Sequence, residues 1–131
     1  ADASGMPVTH TMYSFYADNF LSFGKPRAQE DGTFAIAYPM KDVAMGVISV
    51  EDAGHAVATV LVEGPDAHAG KTYKLANETK PLAEYAAAFS RVLGKEVKYI
   101  DLPIEAFRGM AGDDMANMFQ WYLDARCVRD P

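Results

Sequence analysis

Apolar positions along this chain switch repeatedly between the two-residue alternation of a strand and the three-to-four spacing of a helix. Residues 8–13 are a β-rich run. Behind them Phe15, Asn19, Phe20 and Phe23 recur at helical spacing across residues 14–23, which predicts a strand feeding a short helix. Gly24, Pro26 and Gly32 punctuate a polar loop over 24–32 that leads to a short strand at 33–37, and residues 38–46 make a second turn region. Residues 47–50 are a short β run. Ser49 and Asp52 then have the spacing of a capping box, which satisfies the bare amides at a helix start. Ala53, Ala56, Val57, Val60 and Leu61 line one face of that helix, and Gly64 and Pro65 end it.

The second half continues the alternation. Residues 71–75 are the next strand, after which Thr79 is positioned to cap a helix whose Leu82, Tyr85, Ala86, Phe89 and Leu93 fall on one side and which stops at Gly94. Residues 97–102 alternate as a strand, Pro103 opens a short helix to about Met110, and Asp113 opens another carrying Met115, Met118, Phe119 and Tyr122. Residues 1–7 have the form of a helix end, with Gly5 as its stop and Pro7 beyond. Strands alternating with helices predict a mixed α/β layer with partly parallel strands, in a single domain over 1–131.

Composition narrows the possible partners. Twelve basic against eighteen acidic residues give a net charge of -6, which repels a phosphate backbone, so no nucleic acid is expected. No apolar run approaches the ~20 residues that span a bilayer, and no basic-then-apolar leader is present, so no membrane and a cytoplasmic location are the expectations. The lone Cys127 has no partner for an internal disulfide, and no CxxC or Cys/His set suggests zinc.

Individual residues offer little chemistry by themselves. Glu51 and His55 are four apart on the predicted helix, but two ligands without a third make no metal site. His10 and His68 lack a serine or cysteine partner in a nucleophile motif, so no triad is assigned. Asn77-Glu78-Thr79 has the form of a glycosylation acceptor and equally of a turn and cap. Gly109 and Gly112 form a lone GxxG, which fits a joint between helices. Met110, Met115 and Met118, beside Phe107, Phe119 and Trp121, suit either ordinary core or an adaptable apolar cleft.

Three stretches taken together, SGMPVTHTMYSFYADNF, YPMKDVAMGVISVEDAGHAVATVL and GKTYKLANETKPLAEYAAAFSRVLGKEVKYID, resemble the NmrA-like family of atypical short-chain dehydrogenase relatives, of the extended Rossmann type. The resemblance runs from about Ser4 to about Asp101 and implies the substrate-side half of such a protein. The GxxGxxG turn that holds a dinucleotide pyrophosphate is absent, as is a TyrxxxLys pair. The expected fold is therefore an incomplete Rossmann-type protein lacking its N-terminal nucleotide-binding half. Either a fragment or a natural short subunit that completes its sheet with another chain accounts for this.

The resemblance places Tyr13, Ser14, Phe15, Tyr16 and Asn19 beside the nicotinamide end of NAD(P) in the parent protein, with none bound by this chain alone. It sets the helices that carry Met110, Met118 and Phe119 over the substrate side. The implied partner is the missing N-terminal Rossmann domain or another chain, and the open strand edge left behind favours a homo-oligomer. The implied function is one wall of an NmrA-like oxidoreductase or redox sensor. The rival is a non-catalytic interaction or self-assembling module, which the lack of a convincing general acid or base favours.

Overall fold

The structure is a computed structural model and describes residues 5–125. Its strands fall into three small sheets. β1 (His10–Tyr13) pairs with β6 (Thr72–Leu75), in parallel. β5 (Met45–Ile48) lies between a parallel β2 (Phe15–Tyr16) and an antiparallel β7 (Glu78–Lys80). β4 (Phe34–Tyr38) lies between an antiparallel β3 (Arg27–Ala28) and a parallel β8 (Val97–Asp101). The helices are α1 (Val50–Glu63), α2 (Pro65–His68), α3 (Leu82–Leu93), α4 (Ile104–Ala111) and α5 (Asp113–Asp124). The mixed α/β class with partly parallel strands is what the alternating pattern predicts. Among the described residues no helix is long and apolar enough to cross a membrane.

Packing is uneven across these elements. The buried cluster takes Phe15, Met45 and Val47 from the second sheet, Ile36, Tyr38 and Val97 from the third, Leu82 and Tyr85 from α3, and Phe107 and Phe119 from α4 and α5. Aromatic rings knit it together: Phe119 stands 5.0 Å from Phe107, 5.6 Å from Tyr38 and 6.4 Å from Phe15, ring centre to ring centre. Each ring so buried contributes roughly 1.5–3 kcal/mol by leaving water. By contrast β1, β6 and α2 contribute no buried residue and α1 contributes only Ala53. The apolar face predicted for α1 exists, but it is largely uncovered, with Leu61 75% exposed.

Several boundaries depart from the sequence pattern, each for a physical reason. Residues 14–23 are not one helix: Phe15 and Tyr16 pair with Val47 and Ile48, and a 3₁₀ helix (Ala17–Leu21) follows. Helical spacing of the phenylalanines is real, but strand pairing captures the first of them. The loop over 24–32 contains β3, whose Arg27 and Ala28 pair with Ala35 and Phe34. Met45 and Gly46 belong to β5 rather than to a turn, and Val50 starts α1. Thr79 does not cap α3. It pairs with Gly46 in β7, and Pro81 takes the cap position with the helix starting at Leu82. α3 ends where predicted, at Gly94 in the left-handed region with φ 62°. Cys127 and the expected helix end before Gly5 lie outside the described residues.

Candidate functional site

Parallel strands present their carboxyl ends on one side, and in open α/β sheets ligands bind in the crevice beyond those ends. Here β1 and β6 run in register from His10 opposite Thr72 to Tyr13 opposite Leu75, and the ladder carries on where the Ser14 amide donates to the Leu75 carbonyl at 3.1 Å. Beyond that point the two chains part. Ser14 leads into β2, while the Asn77 amide donates to the Val47 carbonyl at 2.7 Å and ties the chain after β6 to β5. A cavity of about 230 Å³ opens between them, with Ser14, Gly46, Ala76 and Thr79 at its base and Trp121 and Tyr122 of α5 beside it.

The base of this cavity is narrow because Gly46 has no side chain. A Cβ there would lie 3.2 Å from the Ser14 Cβ and 3.3 Å from the Thr79 Oγ1. The Ser14 hydroxyl is buried and has no hydrogen-bond partner among the described residues. A buried hydroxyl without a partner costs free energy unless an incoming group satisfies it. Ligand pockets for whole drug-sized molecules run from about 300 to 1,000 Å³, so this smaller cavity suits a ring or an amide rather than a dinucleotide. A primary amide has the donor and acceptor that such a hydroxyl needs. Among the lining residues only Lys74 and Tyr122 carry titratable side chains.

The residues expected beside the cofactor separate into two sets. Ser14 and Phe15 line the cavity, although the Phe15 ring itself belongs to the buried cluster. Tyr13, Tyr16 and Asn19 do not line it. The Tyr13 hydroxyl accepts from Thr11 Oγ1 at 2.9 Å, and the Tyr13 and Tyr16 rings stand 6.2 Å apart. Asn19 acts through its backbone, its carbonyl accepting from the Gly24 amide at 2.9 Å and the Ser22 amide at 3.1 Å. Gly46, Thr79 and Tyr122 carry no site signal in the sequence and Trp121 appears there only within the methionine-rich stretch; the pairing of β1 with β6 and of β5 with β7, with α5 beside them, brings the four together.

The residues expected over the substrate also divide. Met110 is 76% exposed and lines a separate, larger groove of about 660 Å³, whereas Met118 packs against the buried cluster. Phe119, expected in the pocket, is 0% exposed and offers no surface to a ligand. On α5 it sits four residues from Met115 and three from Ala116, on the stripe that faces the core. The groove runs between the β3–β4–β8 sheet and α4, and includes Tyr38, whose hydroxyl is buried without a partner. Burial pushes the Tyr38 hydroxyl up to about 12, so it remains protonated at neutral pH.

The helix start that most resembles a phosphate site is already occupied by the chain's own groups. At α1 the Val50 amide donates to Asp18 Oδ2 at 2.9 Å, and the Asp52 amide donates to Ser49 Oγ at 3.0 Å. The Ser49 amide donates to Asn77 Oδ1 at 2.8 Å, and Asn77 Nδ2 donates to Asp52 Oδ2 at 2.9 Å. The capping box is therefore completed by Asn77, which the sequence pattern offered only as a turn or a glycosylation acceptor. Two carboxylates at this end leave nothing to attract a pyrophosphate. Gly109 and Gly112 lie in and after α4, and Gly112, φ 88°, forms the joint to α5.

A parallel strand pair with a cavity at its carboxyl ends, beside a lobe of small sheets and helices, is the arrangement of a Rossmann-related α/β protein. Residues 1–129 match the NmrA-like family, and the chain belongs to it. It is 32% identical over 105 residues to the nitrogen metabolite repression protein nmrA of Emericella nidulans, covering 76% of this chain and 30% of that protein. The solved structure of NmrA, a negative transcriptional regulator, in complex with NADP is 31% identical with a TM-score of 0.68, covering 76% of this chain and 32% of that one. The triphenylmethane reductase of Citrobacter sp. complexed with NADP(H) shares the fold, with 24% identity and a TM-score of 0.73 over 99% of this chain and 48% of that one. The chain thus spans less than half the length of each.

Proposed function

We propose that this chain forms the wall facing the reactive end of NAD(P) and the substrate in an NmrA-like oxidoreductase or redox sensor, and that the nucleotide itself is held by a separate Rossmann half. The observation that carries this reading is the cavity at the carboxyl ends of β1 and β6, with its unpartnered Ser14 hydroxyl and the close approach at Gly46. Bound there, NAD(P) supplies a hydride donor or acceptor. Ser14 orients the carboxamide, and Trp121 and Tyr122 shield that end from water.

The uncovered elements support the same reading. β1 makes ladder hydrogen bonds to β6 alone among the described strands. A parallel pair is normally buried on both faces within a larger sheet, and two strands alone are marginal. With the apolar face of α1 also open, the further strands of a Rossmann sheet complete both.

The test is Gly46→Val in the whole protein. Side-chain atoms at this position displace a nicotinamide ring by on the order of 1 Å, which costs about 100-fold in hydride transfer. NADPH affinity changes far less, because the pyrophosphate is held elsewhere. Equal rates of NADPH-dependent quinone reduction by variant and wild type would refute the assignment.

A second reading, a sensor that binds NAD(P) without turnover, is favoured by one observation: apart from Lys74 and Tyr122, nothing lining the cavity titrates. Retained NADPH binding with no reduction of quinones or carbonyl compounds by the wild type selects it.

A further inference from the structure

The groove between the β3–β4–β8 sheet and α4 shares no lining residue with the cavity at the ends of β1 and β6, so its role stands apart from the proposed function. Its floor follows from strand register. Arg27 pairs with Ala35, Ala37 lies two residues on and therefore on the same side of β4, and Ala37 pairs with Ile100. Two alanines in the middle of a sheet face leave depth where larger side chains would fill it. Phe107, Met110 and Ala111 of α4 and Met115 of α5 close the other side, giving about 660 Å³, well within the range of small-molecule pockets of about 300–1,000 Å³.

Polar groups gather at one end. Lys25 and Arg27 flank the groove, no acidic residue lines it, and neither cation has an ion-pair partner among the described residues. Lys98, which pairs with Ala35 on the other side of β4, is by contrast neutralised by Asp31 at 3.0 Å. Two unneutralised cations beside an apolar groove are notable in a chain of net charge -6. The Tyr38 side chain, one residue on from Ala37, points to the opposite face of β4, and its partnerless hydroxyl lies buried close to Gly24, next to Lys25, where an added Cβ would come within 2.0 Å of it.

We propose that this groove binds an apolar small molecule carrying one carboxylate, with the apolar body over Ala35, Ala37 and Ile100 and the carboxylate between Lys25 and Arg27. An apolar peptide segment or a second copy of the chain would cover the alanines but leave both cations without a counter-charge. A carboxylate satisfies both requirements at once.

The test is calorimetric titration of the full chain with decanoate and with decanol, each kept below self-association. Decanoate binds with one equivalent, and decanol binds about tenfold more weakly, the scale of one charge-assisted hydrogen bond. The double variant Lys25→Glu/Arg27→Glu, at two exposed positions, brings decanoate to or below the level of decanol without lowering the melting temperature. Met110→Glu, at the exposed rim, lowers decanoate more than decanol through like-charge repulsion. No binding of decanoate overturns the proposal, and so does equal binding of decanoate and decanol that ignores the charge reversal. A dimer in sedimentation that Met110→Glu dissociates also overturns it, since a second copy then covers the groove.

Discussion

Replacing Gly24 by alanine isolates the tightest contact in the structure. The added Cβ would sit 2.0 Å from the Tyr38 hydroxyl, 3.3 Å from its Cζ and 3.1 Å from the Asn19 carbonyl. The tyrosine has no room to swing away, because its ring is held against Phe15, Phe20, Phe107 and Phe119 at centre separations of 6.0, 6.2, 6.4 and 5.6 Å. Forcing an extra methyl into a packed core costs about 1–3 kcal/mol, against which the stiffer unfolded chain returns about 0.4–1 kcal/mol. The net loss expected is about 1–2 kcal/mol, or roughly 3–8 °C in melting temperature for a chain of this size.

Tyr38→Phe provides the control. It removes a buried hydroxyl that has no partner, so alone it is near neutral or slightly stabilising. In that background Gly24→Ala no longer meets the oxygen, and its cost falls to within about 0.5 kcal/mol of zero. Urea denaturation of the four proteins therefore gives a coupling of at least about 0.5 kcal/mol. A Gly24→Ala protein that melts within a degree of wild type would refute this packing, as would an equal penalty in both backgrounds.

Two further outcomes follow from hydrogen bonding and burial. Asn77→Ala removes both the acceptor for the Ser49 amide and the donor to Asp52, and loses about 1–2 kcal/mol in urea denaturation, whereas a loss below about 0.3 kcal/mol would show that the bridge to α1 is unimportant. Burial pushes Tyr38 and Tyr85 up to about 12 and raises Tyr99 as well, so the folded chain keeps these protons at a pH where the unfolded chain has lost them. Their contribution to stability is intact below about pH 10 and is lost as pH rises from there through about 12. An ultraviolet titration should show these tyrosines ionising late and together with loss of near-ultraviolet circular dichroism. All seven tyrosines titrating near pH 10 in a still-folded chain would contradict it.

Much of the fold is legible in the hydrophobic pattern, and the reasons for the failures are local. α3 is plain because Leu82, Tyr85, Ala86 and Phe89 repeat at helical spacing and Gly94 ends it. α1 is plain from Ser49 and Asp52, but its apolar face misleads: periodicity says that Val57, Val60 and Leu61 want cover, and the described elements supply it only in part, leaving Val57 and Val60 half-buried and Leu61 exposed. Short strands were the weak point, since two-residue β2 and β3 exist only through their partners and carry no period of their own. Thr79 is ambiguous for the same reason, because a threonine before a helix fits a cap and a strand equally well until Gly46 is found opposite it.

The candidate site was legible only in part. Ser14 lies at the end of a recognisable strand, so its place at the carboxyl end of β1 follows from the sequence. Its neighbours Gly46, Thr79 and Trp121 come from three other elements, and no spacing along the chain joins them. Phe119 went the other way: a methionine-rich amphipathic helix has a core face and an outer face, and only packing shows that Phe119 takes the first and Met110 on the neighbouring helix the second.

The most direct test of the central claim compares NADPH binding by the whole protein with binding by this 131-residue chain, using cofactor fluorescence. The chain has no glycine-rich turn, and its own carboxylates occupy the α1 amides, so the account predicts micromolar or tighter affinity for the whole protein and at least about 100-fold weaker binding by the chain. Equal affinities would contradict it, because the pyrophosphate would then be held by residues described above as unable to hold it.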